Sequence, residues 1–259
     1  NIYEREWDVL LILDACRFDV ATEQETSLGP PERVYSLGAN SPRWIQRSFQ
    51  LATETQLNST GYISANPFTN LAPDNKLAFV DNVLEYAFDK ELGTVPPRPV
   101  TDRAIEHIRA GDADRYIVHY IQPHLPSVQG DGEVTEFISP PDMEASTSNP
   151  WKDVESGVRD VDDVINAYKN NLSPVIDEVE VLLENINAGM VSITADHGNY
   201  LGEFGRYGHR YDCGIHPAVR FVPYWEKSAT DRQTHDPRQY NHESGNVSRN
   251  ERLEALGYK

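Results

Sequence analysis

The stretch Ile193–His209, ITADHGNYLGEFGRYGH, decides how this chain is read. It continues an apolar run, Met190-Val191-Ser192-Ile193-Thr194, whose composition predicts a short buried strand. The run stops at Asp196-His197-Gly198. A carboxylate and an imidazole side by side at the C-terminal end of a strand are a natural pair of metal ligands. Gly198 is expected to let the backbone turn sharply behind them. Tyr207-Gly208-His209 then brings a second imidazole. In open α/β sheets ligands gather outside the carboxyl ends of the strands, so the groups that complete this site should stand at other strand ends.

Three further stretches meet that requirement. Asp8-Val9-Leu10-Leu11-Ile12-Leu13 has the continuous apolar character of a central parallel strand and ends at Asp14. A carboxylate there is costly unless it is paired or binds a cation. Arg115–Ile121 is a second strand, ending in Gln122-Pro123-His124-Leu125-Pro126. An isolated loop histidine is ordinarily a surface residue, but His124 shares its strand-end position with two other polar sites. Val34–Leu37 is a third, short strand candidate, followed by Gly38-Ala39-Asn40-Ser41-Pro42-Arg43-Trp44. Ser41 before Pro42 has the pattern of an N-cap followed by the first helical residue, opening a helix through Phe49. Ser41 is then either a cap alone or a nucleophile at a helix N-terminus, where an anion is favoured.

Elsewhere the pattern alternates helices and strands. Helices are expected over Phe18–Thr26, over Asp102–Ala110 with Thr101 as cap, and over Val158–Asn187, the last with Pro174 as a kink or break. Gly61–Pro67 is a strand followed by a turn, and Pro217–Trp225 is a further strand, placed at an edge by its prolines. Residues 130–150 lack any period and are expected to form a loop or lid. Residues 226–259 are expected to form a polar tail with a short helix over Val247–Leu256. The expected fold is one α/β domain spanning residues 1–259, a three-layer α/β/α sandwich with a mostly parallel central sheet.

Composition narrows the function. Net charge is −18, with 6 Lys against 17 Arg, a field that repels nucleic acid and anionic membranes. The same acidic, Lys-poor surface fits a protein of a high-salt organism, in the cytoplasm or at the cell surface. The sequence holds no run of 18 apolar residues, so no stretch of it is expected to span a membrane as a helix. The chain starts at Asn1 rather than Met, which leaves open whether an upstream segment holding a signal or anchor is missing. Cys16 and Cys213 make no disulfide framework and no zinc-finger spacing. An anionic substrate therefore needs a local positive centre. Asp14, Asp196 and His197 form an oxygen and nitrogen donor set suited to one divalent metal, Mn, Zn or Ca. A metal that also binds Ser41 would lower the hydroxyl pKa. His124 and His209 are then candidates to contact substrate oxygens or protonate a leaving group.

These stretches together resemble the alkaline phosphatase superfamily, and within it the sulfatase-like hydrolases. LLILDACRFD (10–19) is similar to the family's first strand, whose terminal Asp binds metal; GANSPRW (38–44) to its nucleophile segment; YIQPHLP (120–126) to its Pro-His-x-Pro loop; and TADHGNYLGEFGRYGH (194–209) to its metal-binding Asp-His-Gly signature. RLEALGY (252–258) resembles the family's chain ends. The resemblance implies an alkaline-phosphatase-like fold, metal ligands Asp14, Ser41, Asp196 and His197, catalytic Ser41, His124 and His209, and substrate contacts from Asn40, Arg43, His124 and His209. The chain departs from true sulfatases: Cys16-Arg17-Phe18-Asp19-Val20 does not match Cys-x-Pro-x-Arg, Ile45 stands where that Arg would follow Ser41, and Ala15 replaces a second Asp. The Asp196-His197 pair resembles the phosphodiesterase, phosphonate-ester and phosphoglycerol-transfer branches, where His replaces the sulfatase Asn. The implied activity is hydrolysis or transfer of a phosphate, phosphonate or sulfate ester through a covalent Ser41 intermediate, with phosphoryl chemistry favoured and a glycan or lipid headgroup as substrate. A second metal is left open, with His209 a candidate member. The alternative is a catalytically degenerate relative that serves as a binding or structural module.

Overall fold

The structure, a computed structural model, describes residues 1–128, 149–209, 214–240 and 247–258. The expected lid lies outside the described residues except for positions 149 and 150, and so does Cys213; Cys16 is a buried free thiol. The strands are β1 (Val9–Leu13), β2 (Glu32–Tyr35), β3 (Thr60–Ser64), β4 (Phe79–Asn82), β5 (Arg115–Tyr120), β6 (Ala188–Thr194), β7 (Tyr200–Leu201), β8 (Tyr207–Gly208) and β9 (Phe221–Ala229). The helices are α1 (Phe18–Glu23), α2 (Ser41–Gln50), α3 (Glu54–Asn58), α4 (Leu84–Ala87), α5 (Pro97–Ala110), α6 (Pro150–Glu155), α7 (Val161–Asn170), α8 (Leu172–Leu183), α9 (Pro217–Arg220) and α10 (Arg249–Ala255).

Seven strands form one sheet in the order β2-β9-β6-β1-β5-β3-β4, in which β9 alone runs antiparallel to its neighbours; β7 and β8 make a separate small hairpin. The strand period of two divides the core between the faces. On one face Leu11, Leu13, Ile63, Val118 and Ile193 pack with Val100, Ala104 and Ile105 of α5 and Val175, Val179 and Leu182 of α8. On the other, Leu10, Ile12, Tyr62 and Ile117 pack with Trp44, Ile45 and Phe49 of α2 and Leu57 of α3. The result is the expected α/β/α sandwich. Each fully buried Leu or Ile contributes roughly 1.5–3 kcal/mol by leaving water.

Several elements differ from the sequence expectations. The N-cap of α2 is Asn40, whose side chain accepts from the Arg43 N–H, so Ser41 is the first helical residue. Asn and Ser cap helices about equally well, and residue type could not choose between them. Helix α5 begins at Pro97, because Pro97 and Pro99 fit a first turn whose N–H groups need no partner. Thr101 therefore lies inside the helix, with its hydroxyl on the Tyr120 hydroxyl at 3.0 Å. The long helix expected over Val158–Asn187 is two, α7 and α8, divided at Asn171 rather than by Pro174, which sits in the first turn of α8. Asn171 is fully buried, and its amide donates to the carbonyls of Pro123, His124 and Pro126 while accepting from the Val128 N–H. The break thus holds the His124 loop. Residues 217–220 are helical, and β9 lies between β2 and β6 rather than at an edge. Pro223 is tolerated because it stands beyond Tyr224, the last β9 residue that β6 pairs. The strand also runs on to Ala229, into the stretch expected to be a polar tail. The C-terminal helix is present as α10, closed by a capping box of Ser248 and Glu251.

Candidate metal centre and active site

Strands β1, β5 and β6 are neighbours in the sheet, so their C-terminal ends share one rim. That adjacency brings Asp14, His124 and Asp196-His197 together, and α2 delivers Ser41 to the same place. Asp14, Ser41, Asp196 and His197 are all essentially inaccessible to solvent. One ligand atom from each of Asp14, Asp196 and His197 lies within 4.8 Å of the others. His197 Nε2 is 3.4 Å from an oxygen of each carboxylate. Ser41 Oγ is 3.2 Å from His197 Nε2 and 3.5 Å from Asp14 Oδ1.

The backbone around these groups is shaped to hold them. Ala15, immediately after Asp14, has φ 60°, a left-handed conformation that costs an alanine roughly 1 kcal/mol. In return its N–H donates to Asp196 Oδ1, which also accepts from the His197 N–H. Tyr168 braces the same turn, donating to the Ala15 carbonyl and accepting from the Arg17 N–H. Arg17, paired with Asp19 and Glu203, donates to the Asn199 carbonyl and ties the loop after His197 to α1. Gly198 serves a different purpose from the expected sharp turn: a Cβ there would meet the Ala218 carbonyl oxygen at 2.2 Å, so only glycine permits this close approach.

Hydrogen bonds also settle which ring nitrogens can act. His197 Nδ1 lies 2.8 Å from the Gly198 carbonyl and must donate to it, which leaves the Nε2 lone pair for the carboxylates' side. His124 Nδ1 likewise donates to the Leu125 carbonyl, and His209 Nδ1 to Asn199 Oδ1 at 2.8 Å. The ring of His209 lies 4.4 Å from that of His197 and 5.0 Å from that of His124. Burial pushes the pKa of His124 down to about 4 and that of His209 well below its usual range, each aided by the neighbouring imidazoles.

Charge balance argues for a cation. Asp14 and Asp196 are buried together, and among the described residues neither is paired with Arg or Lys. Burial and the Asp196 charge hold Asp14 well above the ordinary carboxylate range, against hydrogen bonds from Asn66 and Ser41. Among the described residues Asp196 Oδ2 has no hydrogen-bond partner. Two convergent carboxylates, an imidazole lone pair and an orphaned oxygen fit a divalent cation.

The remaining expected residues separate. Asn40 and His124 line a cavity of about 440 Å³ beside the centre, with His209 and with Phe68, Trp151 and Tyr258. Arg43 is exposed on α2, and the structure does not place it among the residues lining this cavity. The sequence reading missed four buried residues. Asn66 donates to Asp14 Oδ2 at 2.7 Å, Asn199 orients His209, and Tyr62 contacts His119, whose Nε2 lies 3.7 Å from Asp196 Oδ2. His119 sits in the alternating pattern of β5, and only the polar residue at a core position marked it.

No protein-family model and no curated protein matches the chain. Solved structures share its fold. The soluble domain of lipooligosaccharide phosphoethanolamine transferase A from Neisseria meningitidis superposes with a TM-score of 0.58 at 16% identity, over 85% of this chain and 75% of that one. The integral membrane form of that protein gives 0.61 at 16% identity, over 88% of this chain and 48% of the other. A 2-O GAG sulfatase gives 0.55 at 10% identity, over 85% of this chain and 63% of the other. The chain thus shares its fold with phosphoethanolamine transferase A and with a sulfatase.

Proposed function

We propose that this chain is a metal-dependent hydrolase or transferase of phosphate, phosphonate or sulfate esters that uses Ser41 as nucleophile. The observation that carries this reading is the position of the Ser41 hydroxyl. Because Asn40 caps α2, the hydroxyl is spared that duty, and it stands 3.2 Å from His197 Nε2 and 3.5 Å from Asp14 Oδ1. A divalent cation held by Asp14, Asp196 and His197, within reach of Ser41, would lower the serine pKa and neutralise a substrate oxyanion. Ser41 Oγ then attacks phosphorus or sulfur, the ester oxygen leaves, and the group is held covalently on Ser41 until water or an alcohol accepts it. The first helical turn of α2 presents backbone N–H groups to the transferred group. His124 and His209 are neutral when the cavity is empty of anions. An incoming anion favours their protonation, which lets either donate to a substrate oxygen or to the leaving group.

Phosphoryl transfer is favoured over sulfuryl transfer because His197 stands where sulfatases have Asn. The cavity walls, with Phe68, Leu125, Trp151, Tyr207 and Leu256, suit the apolar or ring-bearing part of a glycan or lipid headgroup ester. A second cation on His124 and His209 is an open variant, because each ring commits only Nδ1 as a donor and keeps an Nε2 lone pair.

The test is turnover of bis(p-nitrophenyl) phosphate and p-nitrophenyl phosphate with Zn or Mn added. Wild-type protein is expected to release nitrophenolate, and Ser41→Ala to lose at least about 10³-fold and up to about 10⁶-fold in kcat, the upper figure being the scale seen when a nucleophile is deleted. Turnover unchanged in Ser41→Ala would remove Ser41 from this role. Tight metal binding with no turnover of any ester would favour the degenerate binding module.

A further inference from the structure

Behind the ligands lies a row of buried polar groups that the proposed reaction does not use. Tyr62 on β3 and His119 on β5 are both fully buried, with Tyr62 Oη 2.8 Å from His119 Nδ1. The other ring nitrogen, Nε2, has no hydrogen-bond partner among the described residues. It faces Asp196 Oδ2 at 3.7 Å, and that oxygen is also without a partner. The gap is longer than a hydrogen bond. Two buried polar atoms left facing each other are costly unless something they serve joins them.

Packing prevents His119 from turning elsewhere. The ring of Trp44 meets it edge-on at 5.6 Å, and Phe49 meets Tyr62 edge-on at 5.4 Å; both come from α2, the helix that carries Ser41. The direction of the row is set at Tyr62, whose hydroxyl meets His119 Nδ1 as its hydrogen-bond partner among the described residues. Burial keeps that phenol protonated. Its proton therefore goes to His119 Nδ1, and a neutral imidazole that accepts at Nδ1 carries its own proton on Nε2.

We propose that His119 is a positioning residue: Tyr62 fixes its ring proton on Nε2, and this N–H is aimed at Asp196 Oδ2 to set the orientation in which that carboxylate meets the cation. Asn66 does the same for Asp14 directly, donating to Oδ2 at 2.7 Å. The end of β3 thus supplies the orienting group for both carboxylates, one by contact and one through His119. Outer groups of this kind typically change metal affinity by about 10–100-fold. The inference rests on the metal-centre reading above.

The experiment measures zinc affinity by chelator competition for wild type, Tyr62→Phe, His119→Gln and His119→Leu, with the His119 tautomer read from long-range ¹H–¹⁵N spectra. Tyr62→Phe and His119→Leu are expected to weaken zinc about tenfold or more. His119→Gln, which keeps an N–H donor, is expected to recover part of the loss. The wild-type spectrum should show the Nε2–H tautomer before and after zinc is added. An unprotonated or zinc-bound Nε2 would overturn the proposal, as would equal zinc affinity in wild type and Tyr62→Phe. If a variant fails to fold, the wild-type spectrum still decides. Wild-type protein that binds no zinc would sink the metal-centre reading and this inference with it, whereas wild-type binding that the variants share sinks the inference alone.

Discussion

Two of the buried groupings of acids and histidine among the described residues are built on opposite terms. Around Asp81, on β4, every charge has its complement. Arg103 donates to Asp81 Oδ2 at 2.7 Å, His107 lies 3.1 Å from the same oxygen, and the Tyr86 hydroxyl donates to Oδ1. Burial alone would raise the Asp81 pKa, but these bonds outweigh it and bring it down to about 2. Around Asp14 and Asp196 the complement is missing among the described residues: the second carboxylate adds to burial, the pKa of Asp14 rises, and Asp196 Oδ2 meets no hydrogen-bond partner there. The first arrangement stabilises a fold. The second withholds its counter-charge, as a site does when the counter-charge is the ligand.

Removing one charge from each cluster should therefore act in opposite directions. Asp81→Asn leaves Arg103 short of its buried partner and is expected to destabilise the protein by about 3 kcal/mol. Asp14→Asn in metal-free protein relieves a buried like-charge pair and is expected to raise stability by about 1 kcal/mol. Denaturant titration of both variants in chelator measures this, and a loss of stability in metal-free Asp14→Asn would erase the distinction.

A smaller effect is expected where the metal loop is set by packing alone. Gly198→Ala drives a methyl into the Ala218 carbonyl, displacing the loop that carries His197, and should cost about 1–3 kcal/mol. Its zinc affinity should fall as well, whereas a glycine-to-alanine change at the open, exposed Gly111 should leave zinc binding unmoved.

The pH dependence separates the clusters more finely. The Asp81 pKa is depressed from 3.8 to about 2, so its contribution is fully present above pH 4 and disappears as the pH falls through about 2. The gap corresponds to about 2 kcal/mol. His107 works in the other direction. Its pKa is raised, because bonds to Asp81 and Asp112 outweigh burial, so its contribution is present below pH 6.5 and is lost as pH rises through its folded value. Stability curves of wild type and Asp81→Asn should converge toward pH 2. Parallel curves down to that pH would show that Asp81 carries no such linkage.

Much of this was legible in the chain. The continuous apolar runs ending at Asp14 and Asp196 placed two carboxylates at strand ends, and strand adjacency brought them together. Ser41 and His124 could be located on short motifs, although the cap of α2 had to be seen before the Ser41 hydroxyl was known to be spare. His119, Tyr62 and Asn66 were invisible for a physical reason. They come from β3, its end and β5, each looks like part of an ordinary strand or turn, and only the register Ile63↔Val118 and Ser64↔His119 brings them behind Asp14 and Asp196. Asn171 was hidden in the same way, since a polar residue within a helical period gives no sign that it holds three carbonyls of a loop from an earlier strand. Arg43, expected from a motif position to contact substrate, is exposed on α2 and lies outside the lining of the cavity.

The most direct test of the metal centre is anomalous diffraction from crystals grown with zinc or manganese. The expected result is a peak bounded by Asp14, Asp196 and His197, with Ser41 Oγ in coordination range. A fully loaded crystal with no anomalous density among those residues, or with its metal held elsewhere, would contradict the assignment.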